Sequence, residues 1–246
     1  MKLIQSEILK KFPEIIFGFN TKIGNERKAP FYFNVSFSVG DDKKNVEENR
    51  NTFFNVLGLK SESIAFQKQV HGDTISFVNS AGYCGESDAM ITNIPNIGLA
   101  ISTADCAAIF IYDPVKKIIA GVHSGWRGTV KKILSKTLLK LINDFHSNPK
   151  YLIAYIAPSI SMKNYEVDED VANLFNEKYI KPIGNKFLLD VAGANYDMLL
   201  ENGLKPGSVR KSNLCSFELK ELLHSYRRDG LKSGRSLGII AMKKLN

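Results

Sequence analysis

Two apolar runs of strand length flank an Asp-Pro step, and this arrangement predicts a β-hairpin. The runs are AAIFIYD and KIIAGVH, and the step is Asp113-Pro114. Aspartate and proline favour the tight turn that joins two antiparallel strands. Further short apolar runs predict other strands: AFQKQV, TISFV, DAMIT, GLAIST, YLIAYIAPSI and SLGIIAM. The turn-like segment HGD separates AFQKQV from TISFV. The chain is therefore predicted to be rich in β-structure.

Four segments have the spacing of apolar residues that is typical of helices. The first covers about 43–57, with Asp41 and Asp42 as candidate N-cap residues and Gly58 as a candidate C-cap. The other three cover 125–145, 167–179 and 190–204. No Pro-, Gly- or Ser-rich linker divides these elements. We therefore predict a single α+β domain over residues 1–246, with mixed sheets and outer helices.

The composition is that of an ordinary globular protein, and it argues against several classes. The apolar runs are too short to span a bilayer, and the N-terminal segment MKLIQSEILK does not resemble a signal peptide. Three cysteines in dissimilar contexts do not predict a disulfide framework, so we expect a cytoplasmic protein. The net charge of +8 comes from scattered lysines, which favours a solvated surface over a nucleic-acid or membrane interface.

Three residues stand out as candidate metal ligands: His71 in KQVHGDTI, Cys106 in STADCAAIF and His123 in GVHSGWRGT. Imidazole and thiolate ligands suit zinc, and three protein ligands leave a fourth position for water or substrate. Their spacing matches no linear zinc motif, and each residue has an ordinary structural interpretation. A turn histidine, a buried cysteine and a packed histidine would give the same sequence.

Neighbouring charged residues add to this candidate site. Asp105 heads the apolar run AAIFIY, where a carboxylate needs a partner. Arg127 lies in SGWRGT, a predicted strand-to-helix junction whose exposed N–H groups and guanidinium would suit a phosphate or carboxylate. A surface ion pair is the alternative interpretation of Arg127.

Several other kinds of site find no support in the sequence. The zinc deaminase signature, H-E-x-x-H, the dinucleotide loop G-x-G-x-x-G, the Walker A motif and G-x-S-x-G are all absent. A multicopper centre would need more histidine ligands than the four histidines of this chain.

Taken together, the segments resemble the bacterial laccase-domain family, which is described as purine nucleoside phosphorylases, polyphenol oxidases or peptidoglycan editing factors. The resemblance runs in order over about residues 15–240, and it rests on IFGFNTKIGN, VGDDKKNVEENR, QKQVHGDTI, ESDAMIT, STADCAAIFIYDP, GVHSGWRGTV, IAPSISMKNYEV and SYRRDGLKSGR. The chain departs from the family pattern at Ser124, where alanine is usual, at Lys22, where arginine is common, and at Asn164, where cysteine is often found before Tyr165.

The resemblance implies an α/β sandwich in which His71, Cys106 and His123 hold a catalytic zinc ion. It implies cytoplasmic phosphorolysis of adenosine, inosine, guanosine and methylthioadenosine, with adenosine deamination as a second activity. A purine nucleoside and phosphate would be the substrates. Asp105 and Arg127 are then expected among the catalytic residues, and the expected substrate-binding residues are Arg50, Arg127 and Tyr165.

Two alternatives to a zinc enzyme remain open from the residues. In the first, Cys106 is a nucleophile activated by a histidine, as in a hydrolase or amidase that edits peptidoglycan precursors. In the second, the chain is a binding protein with a closed structural zinc site. That site would need a fourth ligand, for which the sequence offers Cys84, Cys215, His146 and His224. The pair Arg227 and Arg228 predicts either a surface ion-pair cluster or residues that shape the core. The oligomeric state is not predicted.

Overall fold

The runs AAIFIYD and KIIAGVH form the predicted hairpin, which lies within a larger set of strands. The computed structural model describes residues 1–244. Its strands are β1 Leu3–Ile4, β2 Ile15–Asn20, β3 Ile64–Lys68, β4 Ile75–Phe77, β5 Gly82–Glu86, β6 Ala89–Thr92, β7 Gly98–Thr103, β8 Ala107–Asp113, β9 Ile118–Ser124, β10 Ile153–Ile156, β11 Glu166–Val167, β12 Ile180–Ile183, β13 Lys186–Leu189, β14 Val209–Lys211 and β15 Ser236–Met242. The α-helices are α1 Lys43–Val56, α2 Trp126–Val130, α3 Ile133–Phe145, α4 Glu169–Ala172, α5 Val191–Glu201 and α6 Tyr226–Asp229.

The strands form two large sheets and one small sheet. Sheet one has the order β1-β2-β15-β7-β3-β5, and sheet two has the order β14-β10-β8-β9-β6-β4. The small sheet has the order β11-β13-β12. In the β8–β9 hairpin, Asp113 Oδ1 accepts hydrogen bonds from the backbone N–H groups of Val115 and Lys116 at 2.8 and 2.9 Å. This confirms the turn that the Asp-Pro step predicts.

The two large sheets pack face to face and bury an aromatic core between them. Phe17 of sheet one meets Phe110 of sheet two edge to face, with ring centroids 5.0 Å apart. Phe110 also fills the space beside Gly238 of β15, where a Cβ atom would lie 2.3 Å from the ring. The glycine therefore allows the sheets to approach closely at this point.

Helices cover the outer face of each sheet, so the predicted α+β sandwich with outer helices is confirmed. The apolar stripe of α3, which includes Leu134 and Leu138, packs against sheet two, where Ile109 of β8 belongs to the same apolar cluster. On the other side, Phe53 and Phe54 of α1 pack against sheet one. Among the described residues, no helix has both the length and the apolar character that a membrane span requires.

Two predicted helices begin where expected, although α5 ends at Glu201 and not near residue 204. Asp42 caps α1, because its Oδ1 accepts hydrogen bonds from the N–H groups of Lys44 and Asn45. Asp190 caps α5 by accepting a bond from the N–H of Gly193 at 2.7 Å.

Two predicted helices differ from the structure. The segment 125–145 is two helices, because Lys132 takes a left-handed conformation with φ of 58° between α2 and α3. In 167–179 only α4 and a 3₁₀ turn form, because the flanking residues enter the small sheet. The runs AFQKQV and TISFV, on either side of HGD, form β3 in sheet one and β4 in sheet two.

Candidate metal centre

The candidate site lies at one end of the sandwich, where the chain crosses repeatedly from sheet one to sheet two. His71 follows β3 on the first crossing, Asp88 precedes β6 on the second, and Cys106 follows β7 on the third. Strand β9 runs antiparallel to both β6 and β8, so its end returns to the same place. There His123 is the register partner of Ala108. The topology therefore brings together residues that are far apart in the sequence.

The three predicted ligands do converge. Nε2 of His71 lies 3.9 Å from Sγ of Cys106, and the His71 and His123 ring centroids are 4.8 Å apart. One ligand atom from each of the three residues lies within 4.8 Å of the others. Among the described residues, this is the group of histidine, cysteine and carboxylate side chains close enough together to hold a metal ion.

Asp88 organises this cluster, although the sequence did not single it out. Its Oδ1 lies 2.8 Å from Nδ1 of His123, which places Nε2 on the side available to a metal. The same carboxylate accepts backbone N–H bonds from Val70, His71 and Gly72 at 3.2, 3.1 and 2.6 Å. These bonds hold His71 in a left-handed conformation with φ of 57°. The available signal was a carboxylate at the head of the buried strand β6, the same signal that drew attention to Asp105.

The charges of the cluster favour a thiolate. Burial raises the pKa of the Cys106 thiol, but His123 and His71 outweigh burial and lower it to about 6. Burial lowers the pKa of His123, whereas the negative charges of Cys106 and Asp88 raise it to about 9. The thiolate is the form in which cysteine binds metals and attacks electrophiles.

The donor set and its exposure fit a zinc ion with an open position. Two imidazole nitrogens and a thiolate are ligand types that zinc prefers. His123 is buried, Cys106 is half-buried and His71 is exposed, so the cluster is accessible from one side. Gly125 keeps the space beside the sulfur open, because a Cβ atom there would lie 2.7 Å from Sγ of Cys106.

The four candidates for a fourth ligand lie outside the cluster. His224 is buried, and its burial lowers its pKa to about 3, so it is neutral in the fold. The sulfur of Cys215 accepts a hydrogen bond from the N–H of Ser161 at 3.3 Å. His146 caps the C-terminus of α3, and Cys84 lies on β5. A closed structural site made from any of these residues is therefore not present in residues 1–244.

Asp105 has partners other than a histidine. Its Oδ1 accepts a bond from the Ser216 hydroxyl at 2.5 Å, and its Oδ2 accepts one from the backbone N–H of Arg227 at 2.7 Å. Its own backbone is in a strained conformation, with φ of 98°. The carboxylate that contacts a histidine of the cluster is Asp88 and not Asp105. Asp105 instead joins the Cys106 loop to α6.

Arg127 and Tyr165 lie near the triad. The predicted strand-to-helix junction forms, and Arg127 is exposed at the start of α2, with Cζ 4.2 Å from the centre of the Trp126 ring. Tyr165 is half-buried, and its pKa is raised to about 12, first by burial and then by the charge of Cys106. The ring of Tyr165 lies 5.0 Å from the guanidinium of Arg227.

Arg50 of α1 lies between two aromatic rings, one of which belongs to β3. Its guanidinium carbon is 4.4 Å from the ring centres of both Phe37 and Phe66, and Nε donates to the carbonyl of Val35 at 2.7 Å. Burial lowers its pKa to about 10. Phe66 belongs to β3, the strand that leads to His71.

None of the three departures from the family pattern replaces a proposed metal ligand. The Ser124 hydroxyl lies 3.0 Å from that of Thr129, and Lys22 Nζ lies 4.0 Å from the centre of the Tyr32 ring. Asn164 Nδ2 donates to Glu218 at 2.7 Å.

This fold and site define a class of two-sheet α+β proteins with a His/Cys/His centre at the sheet crossings. The family model described as multi-copper polyphenol oxidoreductase laccase matches residues 16–243, and the chain belongs to this laccase-domain family.

Two relatives of similar sequence are named purine nucleoside phosphorylases. A purine nucleoside phosphorylase of Deinococcus radiodurans is 33% identical over 230 residues, which is 92% of this chain and 88% of the relative. The purine nucleoside phosphorylase YlmD of Bacillus subtilis is 31% identical over 252 residues, 94% of this chain and 90% of the relative. Among solved structures, YlmD from Geobacillus stearothermophilus has a TM-score of 0.91 at 26% identity, covering 97% of this chain and 94% of that one.

Proposed function

We propose that this protein is a zinc-dependent purine nucleoside phosphorylase that also deaminates adenosine. Adenosine, inosine, guanosine and methylthioadenosine are its proposed nucleosides, and phosphate is the second substrate. The observation that carries the proposal is the open His71, Cys106 and His123 cluster in a chain whose relatives are named purine nucleoside phosphorylases.

Zinc is the metal that we favour, although the family description mentions several coppers. Multicopper centres need many histidine ligands, whereas this chain has four histidines, two of which lie outside the cluster. A mixed imidazole and thiolate set with an open position is typical of catalytic zinc. A zinc ion held there would supply Lewis acidity to the group in its fourth position.

Phosphorolysis requires a phosphate oxygen to bond to C1′ of the ribose while the bond from C1′ to the purine nitrogen breaks. The electron pair leaves with the purine, whose nitrogen then takes a proton. In deamination, water replaces the amino group at C6 and ammonia leaves. We assign anion binding to Arg127 and Arg50, and substrate contact to Tyr165. Asp105 would keep the Cys106 loop in place beside them.

A pair of matched histidine variants tests the proposal. His71 and His146 are both exposed and both have left-handed backbone conformations, with φ of 57° and 55°. Asparagine tolerates that conformation, so His71→Asn and His146→Asn differ mainly in whether a proposed ligand is lost. We expect His71→Asn to lose bound zinc and nearly all formation of ribose 1-phosphate from inosine and phosphate. His146→Asn should keep both.

Metal analysis and turnover are measured on the same samples. Full activity of His71→Asn without zinc would contradict the zinc mechanism. The phosphorylase assignment would be contradicted by a wild-type protein that binds zinc but releases neither ribose 1-phosphate from adenosine, inosine or guanosine nor 5-methylthioribose 1-phosphate from methylthioadenosine.

A thiol hydrolase or amidase that edits peptidoglycan precursors is the second candidate, and one observation favours it. The Cys106 thiol has its pKa lowered to about 6 beside His123 and His71, as an activated nucleophile requires. Covalent trapping of Cys106 by an acyl substrate in metal-free protein would support this candidate. We place either activity in the cytoplasm, where Cys106 stays reduced.

A further inference from the structure

Three arginines surround the Cys106 end of the site, and each lies against an aromatic ring. Within residues 1–244, none of the three forms an ion pair with a carboxylate. The distances from guanidinium carbon to ring centre are 4.2 Å for Arg127 and Trp126, 5.0 Å for Arg227 and Tyr165, and 5.3 Å for Arg235 and Tyr226.

Two of these arginines come from the segment 226–235, which begins with α6 and is attached to the Cys106 loop. The N–H of Arg227 donates to Asp105, the residue directly before Cys106, at 2.7 Å. Arg235 is half-buried, and burial lowers its pKa, while the charges of Asp105 and Cys106 act on it in the opposite direction. Arg235 therefore lies within electrostatic range of the thiolate. The exposed guanidinium of Arg227 lies against Tyr165, whose pKa the charge of Cys106 helps to raise.

Arg235 is held in place by the backbone, yet it keeps donors free. Its Nη1 donates to the carbonyls of Ser233 and Gly234 at 2.9 and 3.1 Å. Its backbone N–H donates to Asn34 Oδ1 at 2.9 Å. Among the described residues, its Nε and Nη2 atoms have no hydrogen-bond partner. A half-buried guanidinium with unused donors is ready to bind an anion.

The neighbour Arg228 shows what a structural arginine looks like in the same helix. Its terminal nitrogens donate to the carbonyls of Ser216, Phe217 and Leu223 at 2.8, 2.9 and 2.9 Å, and it pairs with Asp229. Arg228 therefore anchors α6 to the loops beneath it. Arg227 has no such role, because its side chain points to Tyr165.

We propose that Arg227 and Arg235 join Arg127 in a subsite for a tetrahedral oxyanion beside Cys106. The inference rests on the proposed function in one respect, because it identifies the anion as the phosphate co-substrate. Guanidinium groups bind phosphate oxygens through paired N–H donors, and the tyrosine rings keep their planes fixed. Asp105 acts through Arg227 as a positioning residue that sets the distance between this subsite and the triad.

The test uses the zinc-loaded full chain and three variants. Arg227→Gln and Arg235→Gln remove the proposed donors, and Arg210→Gln is the control. Arg210 is an exposed arginine of β14 that donates to the carbonyls of Gly207 and Val209. KM for phosphate and KM for inosine are measured separately. Equilibrium dialysis then measures the affinity of each protein for inorganic phosphate and for inosine 5′-monophosphate.

We expect each proposed variant to raise KM and Kd for phosphate about tenfold, with KM for inosine changed less than about twofold. Arg210→Gln should match the wild type. Unchanged phosphate binding in both variants would overturn the subsite. A loss confined to inosine 5′-monophosphate would overturn the assignment to free phosphate. If the wild type binds phosphate through these arginines but forms no ribose 1-phosphate, the subsite stands and the proposed function fails.

Discussion

Asp88 Oδ1 lies 2.8 Å from Nδ1 of His123, and this bond connects the second crossing of the sandwich to the end of β9. The same carboxylate accepts the backbone N–H bonds that shape the turn at His71. One side chain thus fixes the ring orientation of one proposed ligand and the backbone of another. Asp88 is therefore the residue on which the geometry of the candidate site depends most.

Replacing Asp88 should weaken metal binding. In Asp88→Asn one carboxylate oxygen becomes an amide nitrogen, which cannot accept the N–H bonds of the His71 turn. We expect zinc affinity to fall about 10- to 100-fold, as for other residues that orient a metal-binding histidine. Chelator competition measures the affinity, and the nitrogen chemical shifts of His123 report its protonation state in metal-free protein.

Asp73→Asn is the control for this change. Asp73 lies in the same turn, but its carboxylate pairs with Lys136 at the surface. Its variant should bind zinc as the wild type does. Equal zinc affinity in the Asp88 and Asp73 variants would show that Asp88 does not position the ligands.

Adding one methyl group at Gly125 should disturb the cluster. The backbone of Gly125 is extended, so alanine is allowed there, but its Cβ would lie 2.7 Å from Sγ of Cys106 and 3.4 Å from Cδ2 of His71. We expect Gly125→Ala to lower the free energy of unfolding by about 1–3 kcal/mol, as overpacking usually does. Zinc affinity should fall as well.

The matched variant is Gly207→Ala, where nothing lies within 4 Å of the added atom. Urea unfolding and chelator competition are measured for both proteins. If Gly125→Ala bound zinc as tightly as Gly207→Ala, the close approach to Cys106 would not matter for the site.

A buried carboxylate far from the site should make stability depend on pH. Burial raises the pKa of Glu14, but hydrogen bonds from Lys117 and Tyr112, at 2.7 and 2.5 Å, outweigh it and lower the pKa to about 2. Because the pKa is lower in the fold than in the unfolded chain, this contribution is complete above about pH 5 and is lost as the pH falls towards 2.

Glu14→Gln should therefore cost stability at neutral pH and cost progressively less in acid. We expect a difference from wild type of about 1 kcal/mol near pH 6, since Lys117 is half exposed and water screens its charge. Urea unfolding from pH 6 to about pH 3 measures the difference. Glu47→Gln, an exposed residue of α1, should show no such trend. A constant difference for Glu14→Gln would contradict the linkage.

At the break between α2 and α3, glycine substitutions at two adjacent lysines should change the free energy of unfolding in opposite directions. Lys132 has φ of 58°, whereas Lys131 has φ of −73°, and both are exposed. Glycine relieves the left-handed conformation of Lys132, so Lys132→Gly should stabilise the fold by about 0.5–1 kcal/mol. Lys131→Gly should destabilise it by a similar amount, because glycine gains backbone freedom when unfolded.

Thermal and urea unfolding of the two variants measure this contrast. If both variants were less stable than the wild type, the left-handed conformation of Lys132 would carry no cost in the folded protein.

Much of the local structure could be predicted because its causes are local. The apolar run at 107–113 and the Asp-Pro step predict β8 and its hairpin without reference to the rest of the chain. Asp42 and Asp190 predict where two helices start, since a cap needs only the next few N–H groups. The prediction fails at Lys132, where the apolar spacing continues through a backbone that turns left-handed.

The candidate site could be predicted only in part. The ligand types of His71, Cys106 and His123 mark them as metal-binding candidates, but their spacing in sequence does not bring them together. Asp88 and Arg235 look ordinary in the sequence, because their importance comes from partners 35 and 201 residues away in the chain, His123 and Asn34.

By itself, the sequence determined central strands such as β8 and β9, the starts of α1 and α5 and the chemistry of the three ligands, because these follow from short-range propensity and side-chain type. The tertiary structure decided that β3 and β4 lie in different sheets, and hence that three crossings meet at one end of the sandwich. It also decided which carboxylate contacts His123 and which aromatic rings Arg227 and Arg235 lie against. Those choices depend on contacts between segments that only the packing of the two sheets brings within hydrogen-bond distance.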